Sequence, residues 1–102
     1  MPNLTAPVQL DGFNMDMYGG DREHSPRHFH IRKNDEWELI IYYRRCVLED
    51  DIIFRVDFPA TRRDTGWCPL KKNQRKQLLA QLIEHLDALD AQWELLNPDK
   101  PE

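Results

Sequence analysis

Four segments in the first two-thirds of the chain alternate apolar and polar residues, the periodicity of a half-buried β-strand. Their apolar positions are Phe13, Met15 and Met17; Phe29 and Ile31; Trp37, Leu39, Ile41 and Tyr43; and Ile52, Phe54, Val56 and Phe58. Residues 1–12 contain Pro2, Pro7 and Gly12, which predicts a loose lead-in with room for one short strand at 8–10. The pattern predicts an antiparallel sheet of three to five strands.

The last third of the chain carries a different period. Apolar residues spaced three and four apart predict one long amphipathic helix. They are Leu78, Leu79, Leu82, Ile83, Leu86, Leu89, Trp93 and Leu96. We expect the helix to begin between Pro69 and Asn73 and to end before Pro98, with 97–102 as a flexible tail. The chain 1–102 is thus predicted to be a single α+β domain in which this helix covers one face of the sheet.

The alternation of apolar and polar residues predicts how the segment with Phe29 and Ile31 pairs with the segment with Leu39 and Ile41 in a central hairpin. A sheet with one covered face needs Phe29 and Ile31 on the same side as Leu39 and Ile41. Directly opposed residues share a face, so Ile31 should pair with Leu39 and Phe29 with Ile41. This register requires a loop with an odd number of residues.

The opposite face of that hairpin carries His28 and His30. In the same register His28 lies opposite Tyr42, and His30 lies opposite Ile40. Both imidazoles are therefore expected to project away from the main core, onto a solvent-accessible face shared with Tyr42.

A histidine cluster is the most plausible place for chemistry. Three of the four histidines, His24, His28 and His30, fall within seven positions. Two imidazoles at strand spacing can share one divalent metal such as zinc. The third ligand would come from His24 or from a carboxylate such as Glu23 or Glu38.

The same histidines allow two further interpretations. One neutral and one protonated imidazole could act as general base and acid, with Arg27 or Arg32 stabilising the developing charge, as in a metal-free ribonuclease. Alternatively, His28 and His30 are half-exposed sheet residues with packing and solubility roles only, since two histidines separated by one residue are by themselves a weak signal.

Composition narrows the function classes. The chain has 102 residues and a formal net charge of −4, which argues against a general nucleic-acid binder. It has no apolar run of about 18 residues for a membrane span, and its first residues do not resemble a secretory signal. Cys46 and Cys68 form no close pair and are predicted to be reduced thiols of a cytoplasmic protein.

The charge along the predicted helix is the reverse of what its dipole favours. Basic residues open the helix at Lys71, Lys72, Arg75 and Lys76, and acidic residues follow at Glu84, Asp87, Asp90 and Glu94. One explanation is pairing with acidic loops such as 49–51. The other is a basic patch that recognises a phosphate or an acidic partner.

The central motif resembles a bacterial family, the domain-of-unknown-function 4160 family. The matching residues are His24, Pro26, His28, Phe29, His30, a conservative Ile31, and later Leu89 and Trp93. Ser25 and Arg27 stand where the family has prolines, and its usual Tyr-Gly-Glu turn is absent. The resemblance implies a small intracellular protein of a bacterium or mobile element, of a kind associated with toxin–antitoxin-like pairs.

Two function classes follow from these observations. The first, which the acidic charge and the lack of a nucleophile arrangement favour, is a non-catalytic module that binds a protein partner through Tyr42 and the basic helix start. The second is a small hydrolase, ribonuclease-like or metal-dependent, that uses His28 and His30 and would have RNA as one candidate substrate.

Overall fold

An antiparallel five-stranded sheet and two C-terminal helices make up residues 3–19, 26–46 and 52–98, which the computed structural model describes. The elements are β1 (Asn3–Thr5), β2 (Asn14–Tyr18), β3 (Phe29–Lys33), β4 (Trp37–Ile41), β5 (Phe54–Phe58), α1 (Lys72–Glu84) and α2 (Leu86–Leu96). The strands lie in the order β1-β2-β3-β4-β5, and each pairs antiparallel with its neighbour. The predicted α+β fold is confirmed.

The predicted register of the central hairpin is also confirmed. Ile31 pairs with Leu39, and Phe29 pairs with Ile41. The loop between β3 and β4 is the turn at 34–36, an odd number of residues. It begins at Asn34 with φ 47°, a left-handed conformation that asparagine tolerates better than most residues.

The core lies between the apolar face of the sheet and the helices. Its fully buried members include Met15, Met17, Phe29, Ile31, Leu39, Ile41, Leu78, Leu82, Leu89 and Trp93. Of the residues predicted to be buried together, Phe54 and Leu86 are only half-buried and pack against the edge of this cluster.

The N-terminal segment predicted to be a loose lead-in is instead part of the fold. β1 pairs with β2, and the Ala6 N–H donates to the Met15 carbonyl over 2.8 Å. Val8 is completely buried. The prediction was wrong because apolar contacts and strand pairing outweigh the local loop signal of proline and glycine.

The short strand expected at 8–10 is absent from the described sheet. The Gln9 backbone forms its hydrogen bonds with a side chain instead of a strand. Its N–H donates to Gln81 Oε1 over 2.8 Å, and its carbonyl accepts from Gln81 Nε2 over 2.7 Å. This pair of bonds attaches the segment to α1.

The predicted long helix begins in the expected window but is interrupted at His85. Helix α1 starts after Lys71, whose N–H donates to Gln74 Oε1 over 2.7 Å. His85 has φ −110° and ψ 22°, outside helical geometry. Hydrogen bonds nevertheless continue on both sides of it, from His85 N–H to Gln81 O and from Leu89 N–H to His85 O. The apolar period that predicts the helix carries no signal for one non-helical residue.

The C-terminal end of α2 is attached to β2. Asn97, predicted to open a flexible tail, is buried and donates from Nδ2 to the Tyr18 carbonyl over 3.2 Å. A Cβ at Gly19 would clash with the Leu96 carbonyl oxygen, so only glycine permits this approach. The rest of the predicted tail, 99–102, lies outside the described residues.

Neither described helix combines the length and apolar character required to cross a bilayer.

Helix packing gives a matched stability test on α2. Leu89→Ala should lower the free energy of unfolding by about 2–5 kcal/mol, because it opens a cavity in a fully buried site. Leu95→Ala, at a side chain that is 72% exposed, should change it by less than about 0.5 kcal/mol. Chemical denaturation of both variants measures the difference, and equal effects would contradict the described helix orientation.

Candidate functional site

The rings of the two central histidines, His28 and His30, lie close together, and alternation along β3 directs them away from the side taken by Phe29 and Ile31. Their ring centroids are 5.3 Å apart in an edge-on arrangement. Tyr42 contacts His28 at 6.0 Å, and Tyr18 contacts His30 at 4.6 Å. The predicted shared face with Tyr42 is therefore confirmed.

The expected solvent exposure of the two imidazoles is wrong. His28 is 5% exposed and His30 is 7% exposed. Aromatic rings from distant parts of the chain remove water from them, including Trp93 of α2, whose centroid is 5.2 Å from that of His28. Residue periodicity places a side chain on a face but does not show which other groups pack against that face.

Each imidazole is oriented by a hydrogen bond at Nδ1. His28 Nδ1 lies 2.9 Å from the Pro26 carbonyl oxygen. His30 Nδ1 lies 2.8 Å from Glu38 Oε2. Because a carbonyl oxygen only accepts, His28 carries its proton on Nδ1, and in the neutral ring Nε2 is then the acceptor.

A second carboxylate joins the His30–Glu38 pair. His30, Glu38 and Asp57 each offer one ligand atom, and these atoms lie within 4.8 Å of one another. Among the residues that the structure describes, this is the one group of three metal-ligand side chains. It differs from the predicted three-histidine set: His28 is not a member, and His24 lies outside the described residues.

An open cleft of about 370 Å³ borders this group beside the β3–β4 turn. We refer to it as the turn cleft; Arg32, Asp35, Trp37, Glu38, Asp57 and Phe58 line it. Arg32, predicted as a charge-stabilising residue, lies here and is 4.0 Å from Asp16. The turn cleft gives solvent-borne groups access to the two carboxylates.

The other predicted arginine, Arg27, is buried and bound to α2. Its Nη1 lies 3.2 Å from Asp90 Oδ1, and its Nη2 lies 3.3 Å from Glu94 Oε1. The Tyr43 hydroxyl donates to Asp90 over 2.9 Å, and Arg44 Nε is 3.8 Å from the same carboxylate. The guanidinium of Arg27 thus joins the entry of β3 to the last helix.

The environment of Tyr43 changes its ionisation. Its side chain is 1% exposed. Burial and, next, its hydrogen bond to Asp90 raise the pKa of the Tyr43 phenol well above the ordinary value. The phenol therefore remains a hydrogen-bond donor over the physiological pH range.

A second open cleft, of about 340 Å³, lies beside β5. We refer to it as the edge cleft; Tyr42, Phe54, Arg55, Arg62, Asp64 and Trp67 line it. The guanidinium carbon of Arg62 lies 5.2 Å from the ring centroid of Trp67, a cation–π contact. Of these residues the sequence singled out only Tyr42 for binding, because no local period relates β5 to the irregular segment that follows it.

The predicted basic patch at the helix start is only partly available. Lys71, Lys72 and Lys76 are exposed. Arg75 is half-buried, and its Nη1 donates to the Leu70 carbonyl over 2.6 Å. Arg75 therefore stabilises the entry to α1, and the acidic loop at 49–51 proposed as a pairing partner lies outside the described residues.

Comparison with known proteins gives no family assignment. No protein-family model matches the chain, and neither the curated proteins nor the solved structures contain a significant match. The resemblance at His24–Ile31 to the domain-of-unknown-function 4160 family stays a prediction. Function must therefore be inferred from the site geometry.

Breaking the Arg27 contacts should destabilise the fold. Arg27→Ala should lower the free energy of unfolding by about 1–3 kcal/mol, since the side chain is 9% exposed and Asp90 loses a charged donor. Arg32→Ala is the matched control: that side chain is 45% exposed, and its loss should cost about 0–1 kcal/mol. Urea denaturation of the two variants compares them, and a larger effect at Arg32 would refute the structural role of Arg27.

The raised pKa of Tyr43 predicts an alkaline stability loss. Because the folded state holds this proton more tightly than the unfolded state, its contribution is complete below the ordinary tyrosine pKa of about 10 and is lost as pH rises above it. Unfolding free energy should therefore fall more steeply between pH 10 and 11, by up to about 1.4 kcal/mol per pH unit, in the unmodified chain than in Tyr43→Phe. Tyr42→Phe retains Tyr43 and should keep the steep dependence; a Tyr43→Phe profile of unchanged slope would disprove the linkage.

Proposed function

We propose that this chain is a non-catalytic module that binds an extended acidic segment of a protein partner in the edge cleft. The observation that carries the proposal is a cleft lined by two exposed arginines, Arg55 and Arg62, and by the rings of Tyr42 and Trp67. Arginine and aromatic side chains are the types enriched in protein interfaces and at their energetic centres. Stacking on Trp67 restricts the Arg62 guanidinium and lowers the entropy lost when it binds a carboxylate.

The position of β5 supports an extended ligand. β5 is an edge strand of the described sheet. The Tyr42 N–H donates to the Ile53 carbonyl over 3.0 Å, and the Ile53 N–H donates to Cys46 Sγ over 3.1 Å, so both backbone groups of Ile53 bond to the segment that follows β4. Alternation along the strand then directs the N–H and C=O groups of Phe54 and Val56 toward the free edge. An added strand could use these groups for affinity and the cleft for side-chain specificity.

The charge distribution supports a protein segment over RNA as the ligand. Several arginines are already paired with carboxylates: Arg27 and Arg44 with Asp90, Arg32 with Asp16, and Arg63 with Asp57. Their charges do not add to a continuous basic groove of the kind that nucleic acids require. The edge cleft itself combines two guanidiniums with the carboxylate of Asp64, which suits a short acidic segment better than a polyphosphate backbone.

The burial and the hydrogen bonds of the two central histidines support a non-catalytic role. His28 and His30 are almost fully buried, each with Nδ1 in a hydrogen bond. Arg27, the proposed charge stabiliser, is bound to carboxylates of α2. A ribonuclease would need these three groups around one accessible substrate position.

The cellular setting that we propose is the cytoplasm of a bacterium, in a toxin–antitoxin-like pair or a mobile-element system. The sequence holds two cysteines, Cys46 and Cys68, which form no close pair along the chain, and this supports a reducing compartment. The family resemblance at the histidine motif supports the bacterial pairing.

Charge reversal in the edge cleft tests the proposal. The probe is a short synthetic peptide in which Glu alternates with Val, titrated while the indole N–H signal of Trp67 is followed by NMR. Replacing both arginines, Arg55→Glu with Arg62→Glu, should weaken binding by at least about tenfold, or ~1.4 kcal/mol. The matched control Lys72→Glu with Lys76→Glu carries the same charge change on α1 and should leave affinity within about twofold, since exposed charges outside the contact act only through screened fields.

Three outcomes would overturn the proposal. The first is no saturable binding of the acidic peptide by the unmodified chain. The second is a greater loss in the lysine double variant, which would move the site to the helix start. The third is preferential binding of an oligouridylate, which would make the edge cleft a nucleic-acid site.

A further inference from the structure

The group formed by His30, Glu38 and Asp57 lies apart from the edge cleft and has a different chemistry. Its members come from three neighbouring strands, β3, β4 and β5. One ligand atom of each lies within 4.8 Å of the other two. The imidazole is almost fully buried, whereas the side chains of Glu38 and Asp57 are 26% and 39% exposed.

Sheet geometry explains why these side chains meet. His30 is opposite Ile40, and Glu38 is two residues from Ile40 on the same face, which makes His30 and Glu38 diagonal neighbours. Across β4, Leu39 pairs with Val56 while Glu38 pairs with Phe58. Asp57 is thus the extra residue of a bulge, a feature that changes the direction of a side chain at a sheet edge.

We infer that His30, Glu38 and Asp57 bind a divalent transition-metal ion, with zinc as the best match. One imidazole nitrogen and two carboxylate oxygens are a ligand set that zinc accepts, at distances of about 2.0–2.2 Å. Tetrahedral ligands at that distance lie roughly 3.3–3.6 Å apart, so the widest separation in the group, which is up to 4.8 Å, must close by about 1 Å on binding. The turn cleft leaves the fourth coordination position open to water or to a ligand from solution.

The charges of the group support zinc binding, because a divalent cation would neutralise the carboxylates of Glu38 and Asp57. The two carboxylates carry two negative charges beside an imidazole, and the hydrogen bond of 2.8 Å between His30 and Glu38 keeps two ligands together before the metal arrives. Arg63 Nη2 lies 3.6 Å from Asp57 Oδ1 and also donates to the Asp57 carbonyl. Arg63 therefore competes with a metal for the Asp57 carboxylate.

The test is calorimetric titration of the chelator-treated full chain with zinc chloride. Asp57→Asn and Glu38→Gln should each weaken zinc binding by at least roughly tenfold, since even groups behind the ligands change affinity by about 10–100-fold. Asp35→Asn removes a carboxylate that lines the same cleft but lies outside the ligand group, and should leave affinity unchanged. Arg63→Gln should tighten binding by about two- to fivefold, because it removes an exposed competing cation. Circular dichroism verifies that each variant is folded.

The inference is overturned if the unmodified chain binds no zinc saturably or if Asp57→Asn retains full affinity. It is also overturned if Asp35→Asn loses as much affinity as Asp57→Asn, which would indicate only general attraction to acidic groups. Loss of binding in His24→Gln with full affinity in Asp57→Asn would replace it with a histidine-only site. None of these outcomes affects the edge cleft, which shares no residue with the ligand group.

Discussion

The turn between β3 and β4 contains an odd number of residues, 34–36, and this number determines which side chains of the hairpin lie on each face of the sheet. With Ile31 opposite Leu39 and Phe29 opposite Ile41, these four apolar side chains share the buried face of the sheet. A slip of one residue would move Ile31 to the outer face and His30 into the core. The register that creates the core therefore also places His30 beside Glu38. Stability and the candidate cation site thus have a common origin in one short loop.

The contacts of buried Arg27 explain why Asp90 and Glu94 lie beyond the first turn of α2, away from the N-terminal end where the helix dipole favours acidic groups. Acidic groups near a helix C-terminus cost about 0.3–1 kcal/mol each when exposed. Hydrogen bonds to a charged group contribute about 1.5–3 kcal/mol, and Asp90 makes them with Arg27 and Tyr43. The local interaction is thus larger than the dipole penalty. Asp90 and Glu94 bind Arg27, which explains the position of these two residues without a partner.

Short-range periodicity predicted the strands, the hairpin register and the helix start, because each of these depends on residues close in sequence. The prediction failed where distant residues decide the outcome. His28 is buried by Trp93, and Arg27 binds Glu94, a residue 67 positions away. Asp57 joins the metal-ligand group only through a bulge that changes the pairing of β5. Glu38 could be named as a candidate ligand beforehand because it follows from the hairpin parity alone.

The contacts between α2 and the N-terminal strands have a consequence for the order in which the chain can fold. Gln92 Nε2 donates to the Thr5 carbonyl, Asn97 bonds to the Tyr18 carbonyl, and Leu96 packs on Gly19. Each contact joins the first described strands to the last described helix. During synthesis on the ribosome, the sheet can pair strand by strand, but its apolar face is not fully covered until α2 has emerged. A nascent chain that stalls before α2 would expose that face to chaperones or to other chains.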